Sequence, residues 1–282
     1  MSTPGTESAP NLSLTLTLRG GVEIPRIGLG VFQASAGGET RAAVLSALEA
    51  GYRHIDTAKI YRNERDVGQA IAASGIPREQ IFVTSKLWNS DHGYEPTLRA
   101  CRESLARLGL SYLDLYLIHW PVPELRKESW RAMVKLQEEG LCRTVGVSNY
   151  MVHHLEELLA SSDALPAVNQ VEINPFQYRK DLIDLCQAKG IVVEAYSPLT
   201  QGLRLGHPAI VAAAAKYGRT PAQILIRWGL QHGLVVLPKS TRPARIRENA
   251  AVLDFEIGAD DMRVLDGLDE GLTTGWDPTD AP

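Results

Sequence analysis

Cysteine is scarce in this chain: Cys101, Cys142 and Cys186 are the only three in 282 residues. They lie far apart, include no Cys-x-x-Cys, and leave one over after any pairing, which points to a reduced, cytoplasmic protein. Basic charge is not in excess either. A formal net charge of -4 and a pI of about 6.0 exclude an overall basic field for nucleic acid or an anionic membrane. No apolar run approaches the roughly 20 residues of a membrane span. The opening MSTPGTESAPN is polar, with neither a basic nor an apolar segment, so it reads as a disordered lead-in over residues 1–11 rather than a signal peptide. Solenoid-type repeats and a Pro/Gly/Ser-rich linker are also missing, and residues 12–282 are expected to form one domain. Common nucleotide and hydrolase motifs fail as well. GLGVFQ lacks the third glycine of a dinucleotide fingerprint, GVSNY lacks the second glycine of a nucleophile elbow, and there is no P-loop.

What is present is a regular alternation. Short apolar runs occur at 26–31, 53–57, 81–85, 113–119, 144–148, 167–173, 191–197 and 234–239. Continuous apolar strands of this kind imply a sheet covered on both faces, typical of parallel strands. Between them lie amphipathic stretches that stop at glycine. ETRAAVLSALEA places Val44, Leu45 and Leu48 on one face and ends at Gly51; EPTLRACRESLARL groups Leu98, Leu105 and Leu108 and ends at Gly109; further stretches end at Gly140 and Gly190. Eight strands alternating with helices predict an α/β chain folded as a (β/α)8 TIM barrel, with an open doubly wound sheet as the rival. Before the first barrel strand, LSLTLTLRGGVEIP reads as a β-hairpin turning at Gly20-Gly21 and plugging the barrel bottom. Two helical segments fall between the last two strands, the second capped by Thr220 and opened by Pro221.

In such a barrel, chemistry gathers at the C-terminal ends of the strands. Those ends deliver Asp56, Lys86, His119, Ser148-Asn149, Gln170 with Glu172, Tyr196-Ser197 and Lys239-Ser240, and Tyr61 follows shortly after Asp56. Taken singly, each has a bland reading as a turn, a packing residue or a solvated strand end; together on one face they form a constellation. A phenol is a weak acid near neutral pH, but a nearby ammonium stabilises its phenolate. The roles expected are therefore Tyr61 as general acid, Lys86 as its tuner, Asp56 as the partner that keeps Lys86 charged, and His119 as the group that orients a carbonyl. Reduction of a carbonyl by a nicotinamide cofactor suits this set. The cofactor's phosphate has a natural seat in LPKSTRPARIREN, where Lys239, Ser240, Arg242 and Arg245 surround the start of a helix just after the last strand. His153 and His154, followed by Glu156 and Glu157, lack a third ligand set or an HExxH spacing; an exposed helix face is expected, and no metal.

The blocks GYRHIDTAKIYRNE, IFVTSKLW, LDLYLIHWP, VGVSNY, AVNQVEINP, AYSPL and LPKSTRPARIREN resemble, in order, those of the aldo-keto reductase family. The resemblance runs from about residue 12 to 270. It is closest to bacterial members that reduce glyoxal, methylglyoxal or 2,5-diketo-gluconate, which the short HWPVPELRKESW connection fits. It implies a catalytic tetrad of Asp56, Tyr61, Lys86 and His119. It implies that Ser148, Asn149 and Gln170 hold the nicotinamide carboxamide, that Tyr196 stacks on the ring, and that Ser197 and Leu199 also contact the cofactor. By the same resemblance Lys239, Ser240 and Arg245 grip the 2′-phosphate of NADPH, while Glu248 and Asn249 lie at the adenine. Arg242 stands where many members have a smaller polar residue, an extra cation favouring NADPH. Phe32, Trp88, His119 and Trp120 are implied as walls of the substrate pocket, although many eukaryotic members carry tryptophan at the position of Phe32. The C-terminal segment helps to shape that site in the family, which brings Trp276 within reach.

The leading expectation is an NADPH-dependent reductase of small aldehydes and ketones acting as a monomer. A cofactor-sensing regulatory subunit with slow turnover is the alternative from another class. A third reading makes Lys86 a Schiff-base nucleophile, but pairing with Asp56 favours its charged, non-nucleophilic state.

Overall fold

Eight parallel strands, in unbroken sequence order, make the central sheet of the computed structural model, which describes Leu12 and residues 14–282. The lead-in expected over residues 1–11 lies outside the described residues. A hairpin comes first: β1 (Thr15–Thr17) pairs antiparallel with β2 (Glu23–Pro25). The chain reverses through Gly20 and Gly21, at φ 86° and 80°, where a side chain would be strained. The barrel strands follow as β3 (Leu29–Gly30), β4 (His54–Asp56), β5 (Phe82–Leu87), β6 (Leu113–Ile118), β7 (Cys142–Ser148), β8 (Val168–Glu172), β9 (Val192–Tyr196) and β10 (Val235–Leu237). Parallel bridges Ile27–Val236 and Gly30–Lys239 join the first of these to the last, with Gly28 N donating to Val236 O at 3.0 Å. The sheet is therefore a closed barrel, and the open-sheet rival is excluded.

The eight apolar runs in the sequence coincide with these strands because parallel strands are buried on both faces. Their outward side chains pack on the helices: α1 (Gly38–Glu49), α2 (Glu64–Ala73), α3 (Tyr94–Leu108), α4 (Arg126–Glu138), α5 (Val152–Ser161) and α6 (Lys180–Ala188), then α7 (Pro208–Tyr217) and α8 (Pro221–Gln231) between β9 and β10. Last come α9 (Pro243–Ala250) and α10 (Ala259–Asp266). Val44, Leu48, Leu98, Leu105 and Leu108 are buried, as the helical spacing predicts. Thr220 caps α8 in a box with Gln223, each side chain bonding the other's backbone N–H. Helix α2 buries Glu64, Val67, Gly68, Ala70 and Ile71, a face that mixes charged, apolar and small residues. Gly68 sits so close to α3 that an added Cβ would lie 1.9 Å from the Leu108 carbonyl oxygen.

The hairpin closes the N-terminal end of the barrel, as expected. Leu18, Val22 and Ile24 are buried against the inward residues Phe82, Leu115, Leu117, Val168 and Val235. Each such side chain contributes about 2 kcal/mol by leaving water. Above this apolar floor the interior turns polar. His54, Thr84, Gln170 and Glu194 form a buried middle layer, and Asp56 and Lys86 the layer above it.

Candidate active site

Asp56 ends β4, Lys86 lies near the end of β5, and His119 immediately follows β6, so three adjacent strands bring these groups together. Tyr61 ends the short 3-10 turn Lys59–Tyr61 that follows β4. Lys86 Nζ donates to Asp56 Oδ1 at 2.6 Å, to the Thr57 carbonyl at 3.0 Å and to Tyr61 Oη at 3.4 Å. The lysine is 0% exposed. Burial, the largest single influence, pushes its ammonium down; the Asp56 carboxylate first, then Tyr61 and Glu194, together outweigh that and hold it above the ordinary lysine range. Burial drives His119 well below the ordinary histidine range, and the charge on Lys86 adds to the effect, so the imidazole is neutral near pH 7. Its Nδ1 is buried without a hydrogen-bond partner among the described residues.

One expectation needs correcting. From the sequence, the ammonium beside Tyr61 is expected to lower the phenol's pKa. Burial pushes the phenol up by more than Lys86 pulls it down, and it lies above the ordinary tyrosine range. The pull exists, but the sequence showed only the charge and not the desolvation.

Beyond His119 the remaining strand ends extend the same cavity, of about 780 Å³. Ser148 Oγ donates to the Gln170 carbonyl at 2.8 Å, and Asn149 Nδ2 to the His119 carbonyl at 2.9 Å. Tyr196 Oη donates to Asn149 Oδ1 at 2.9 Å, which fixes the tyrosine ring in the wall. Ser197 and Leu199 continue that wall. Gln170 gives both of its amide hydrogens inward, to Asp56 at 2.8 Å and to Glu194 at 2.9 Å. At the far end, Lys239, Ser240, Arg242 and Arg245 surround the start of α9, with Glu248 and Asn249 behind them. Arg242 N donates to Ser240 Oγ at 3.1 Å, while the Arg242 and Arg245 guanidinium groups form no ion pair among the described residues. The site residues singled out in the sequence line this one cavity except Lys86, which lies buried behind Tyr61 and Asp56, and Glu172, which bonds Thr274 instead.

Aromatic rings wall the end nearest His119. Phe32 lies 5.1 Å from the Tyr61 ring, Trp88 5.3 Å from His119, and Trp120 is stacked 6.1 Å from His119. Trp276 reaches the cavity and meets Trp120 at 4.5 Å. Its segment is tied down at several points. Thr274 donates through N and Oγ1 to the buried Glu172, at 3.0 and 2.6 Å, and Arg179 bonds Asp277 at 3.1 Å. His153 Nε2 donates to the Ala281 carbonyl at 3.0 Å. The helix face expected to be exposed at 153–157 is therefore only partly so: His154 is 0% exposed and accepts from Met151 N through Nδ1 at 3.0 Å.

Sequence reading missed several contributors. Gln201, Gly202 and Leu205, and the start of α8 at Thr220–Ala222, also line the cavity. They come from loops whose course no local pattern reveals. Glu194 was missed although it carried a signal, a carboxylate inside the apolar run IVVEAYS.

The cavity suits a long, polar dinucleotide. Unpaired cations stand at a helix N-terminus at one end, a fixed aromatic ring lies in the middle, and a proton donor on a buried cation lies at the other. The sequence profile of the aldo/keto reductase family matches residues 26–270. The chain belongs to that family. A glyoxal reductase of Bacillus subtilis (strain 168) is 49% identical over 268 residues, covering 95% of this chain and 97% of the relative. Morphine 6-dehydrogenase of Pseudomonas putida is 45% identical over 280 residues, 94% of each chain. Among solved structures, an aldo-keto reductase of Bombyx mori in complex with NADP superposes with a TM-score of 0.88 at 37% identity, over 93% of this chain and 94% of that one. The aldo-keto reductase fold, and carbonyl–alcohol oxidoreduction as its class of chemistry, thus agree with the geometry.

Proposed function

We propose that this aldo-keto reductase uses NADPH to reduce small aldehydes and ketones to alcohols, with Tyr61 as the general acid. The observation that carries the reading is the contact chain Tyr61–Lys86–Asp56 opening into a cavity whose other end holds Lys239, Arg242 and Arg245. When bound, the reduced nicotinamide supplies a hydride to the carbonyl carbon. Tyr61 gives its proton to the carbonyl oxygen, and Lys86, 3.4 Å away, stabilises the phenolate left behind. Burial makes Tyr61 a weak acid in the resting protein, so the ammonium's pull counts most as negative charge grows on the phenol oxygen. Neutral His119 can donate from Nε2 to the same carbonyl oxygen and orient it between imidazole and phenol. Gln170, Ser148 and Asn149 lie where the carboxamide would be held, and Tyr196, Ser197 and Leu199 where the ring would rest. Lys239, Ser240, Arg242 and Arg245 would take the 2′-phosphate, with Glu248 and Asn249 near the adenine.

The wall formed by Phe32, Trp88, Trp120 and Trp276 has no lysine or arginine, which supports uncharged carbonyls over sugar acids. Three buried free cysteines support a reduced, cytoplasmic setting, and a monomer is the working state. Mixing the protein with NADPH and methylglyoxal and following NADPH absorbance tests the proposal. We expect turnover in the wild type and a loss of about 10³-fold in kcat in Tyr61→Phe with NADPH binding retained. Near-normal kcat in that variant would remove Tyr61 as the acid. NADPH binding without oxidation across an aldehyde panel would favour the regulatory reading.

A further inference from the structure

Beneath the cavity a polar chain crosses the barrel interior and ends on a carboxyl group that the proposed reaction does not use. Lys86 bonds Asp56, Asp56 Oδ2 accepts from Gln170 Nε2 at 2.8 Å, and the same nitrogen donates to Glu194 Oε2 at 2.9 Å. Glu194 is 0% exposed, and its Oε1 has no hydrogen-bond partner among the described residues, yet it lies 3.5 Å from His54 Nε2. His54 Nδ1 donates to the Pro25 carbonyl at 3.3 Å, which leaves Nε2 as an acceptor; the Thr84 hydroxyl donates to it at 3.1 Å, and Glu194 Oε1 stands beside that bond. Gly28 makes room for that ring, since an added Cβ would sit 2.8 Å from it.

We infer that Glu194 is a positioning residue of the reductase centre: it fixes the Gln170 amide towards the cofactor and, on losing its proton, weakens Tyr61 as an acid. This rests on the proposed reductase reading. The first half is geometric. Two carboxyl groups, those of Asp56 and Glu194, take both N–H bonds of Gln170, so the amide cannot flip and its oxygen is the atom left for the cavity. The second half concerns charge. As a neutral acid, Glu194 can turn Oε1–H towards His54 Nε2 at 3.5 Å, sharing that acceptor with the Thr84 hydroxyl, the nearest polar contact open to the otherwise orphaned oxygen. As a carboxylate, it would place a second negative charge beside Asp56 in a medium without water.

The groups around it can be named strand by strand. β8 contributes Gln170, β10 the apolar Val235, β4 His54 and Asp56, and β5 Thr84 and Lys86. Asp114 on β6 acts on His54 but is not a contact of Glu194. Burial first, and then Asp56, push the Glu194 carboxyl up to about 8, while burial takes His54 down to about 4. Near pH 7 both are uncharged, which is the state that the Oε1–Nε2 contact requires. Ionisation of Glu194 would favour the Lys86 ammonium and oppose charge on the Tyr61 oxygen.

Glu194→Met and Glu194→Gln test this by two readouts, the NADPH dissociation constant from quenching of tryptophan fluorescence and the pH profile of kcat for methylglyoxal reduction. Methionine frees the Gln170 amide, and we expect NADPH affinity to fall about tenfold; glutamine, which accepts from Gln170 and donates to His54 as the neutral acid does, should recover most of it. Wild-type kcat should decline above pH 8, where Glu194 ionises, and that decline should be absent in Glu194→Gln. An unchanged NADPH constant in Glu194→Met, or the same alkaline decline in Glu194→Gln, overturns the inference. If Glu194→Met does not fold, the Glu194→Gln profile decides alone. A wild type that binds NADPH but reduces no carbonyl refutes the reductase reading and leaves the binding comparison to decide on Glu194. A wild type that binds no NADPH refutes both.

Discussion

At the end of the cavity proposed for the carbonyl the charged groups are buried and already bonded, Lys86 at 2.6 Å from Asp56 and with no exposed surface. At the end proposed for the phosphate Arg242 and Arg245 are exposed and form no ion pair among the described residues. The first arrangement is complete before any ligand arrives, so its dipoles need little rearrangement when charge develops. The second is completed only by an anion. Under the proposed function, one end serves rate and the other affinity, and the two should respond separately to mutation, salt and pH.

The sharpest way to break this contrast is Lys86→Met. It removes the buried cation and leaves Asp56 unpaired, and we expect kcat to fall by about 10³-fold. Stopped-flow binding should show NADPH affinity changed by less than about threefold; comparable losses in both would mean that the two ends are not independent. Next in size is the converse pair, Lys239→Met with Arg245→Met. Titration should show NADPH weakened by about 100-fold, close to tenfold per charge, with NADH almost unaffected. Equal losses for the two cofactors would remove the phosphate assignment.

A milder probe is salt. Raising ionic strength from about 0.05 to 0.5 M shortens the screening length and should weaken NADPH several-fold, without altering kcat at saturating cofactor. A fall in kcat would show that the carbonyl end is less shielded than its burial suggests.

The smallest effect concerns stability. The Glu194 carboxyl is raised from 4.5 to about 8 in the folded protein. Its contribution to stability is fully present below pH 4.5 and is lost as pH rises to about 8. Glu194→Gln cannot ionise, so its Tm relative to wild type should climb across that window, by on the order of 5 °C, and then level off. Parallel melting curves from pH 5 to 9 would contradict a buried neutral acid.

Much of this contrast could be read from the sequence because it follows the chain. Apolar runs marked the eight barrel strands, and glycines marked the ends of α1, α3, α4 and α6. The strand ends then named Asp56, Lys86, His119 and Gln170. What could not be read joins residues far apart in the chain. Gln170 meets Asp56 across 114 positions and Glu194 across 24, and the pairing of Glu194 with His54 exists only once the barrel closes. Burial was the other hidden quantity. It buried His154, which was expected on an exposed face, and it reversed the direction expected for the Tyr61 phenol. Helix α2 was overlooked although it buries Val67 and Ile71 one turn apart, because the charged Glu64 and the small Gly68 and Ala70 share that face and break up the apolar stripe.

Trp276 is carried by residues that belong to no helix or strand, and Glu172, Arg179 and His153 hold that segment from the barrel side. No backbone ladder depends on its sequence. A change at Trp276 or its neighbours therefore redraws the aromatic wall while leaving the barrel's own bonds intact. Under the proposed function, the part of the pocket that would select the substrate is thus separable from the part that would perform the reaction, so new substrate ranges can be sought by varying a few residues of this strap on an unaltered floor.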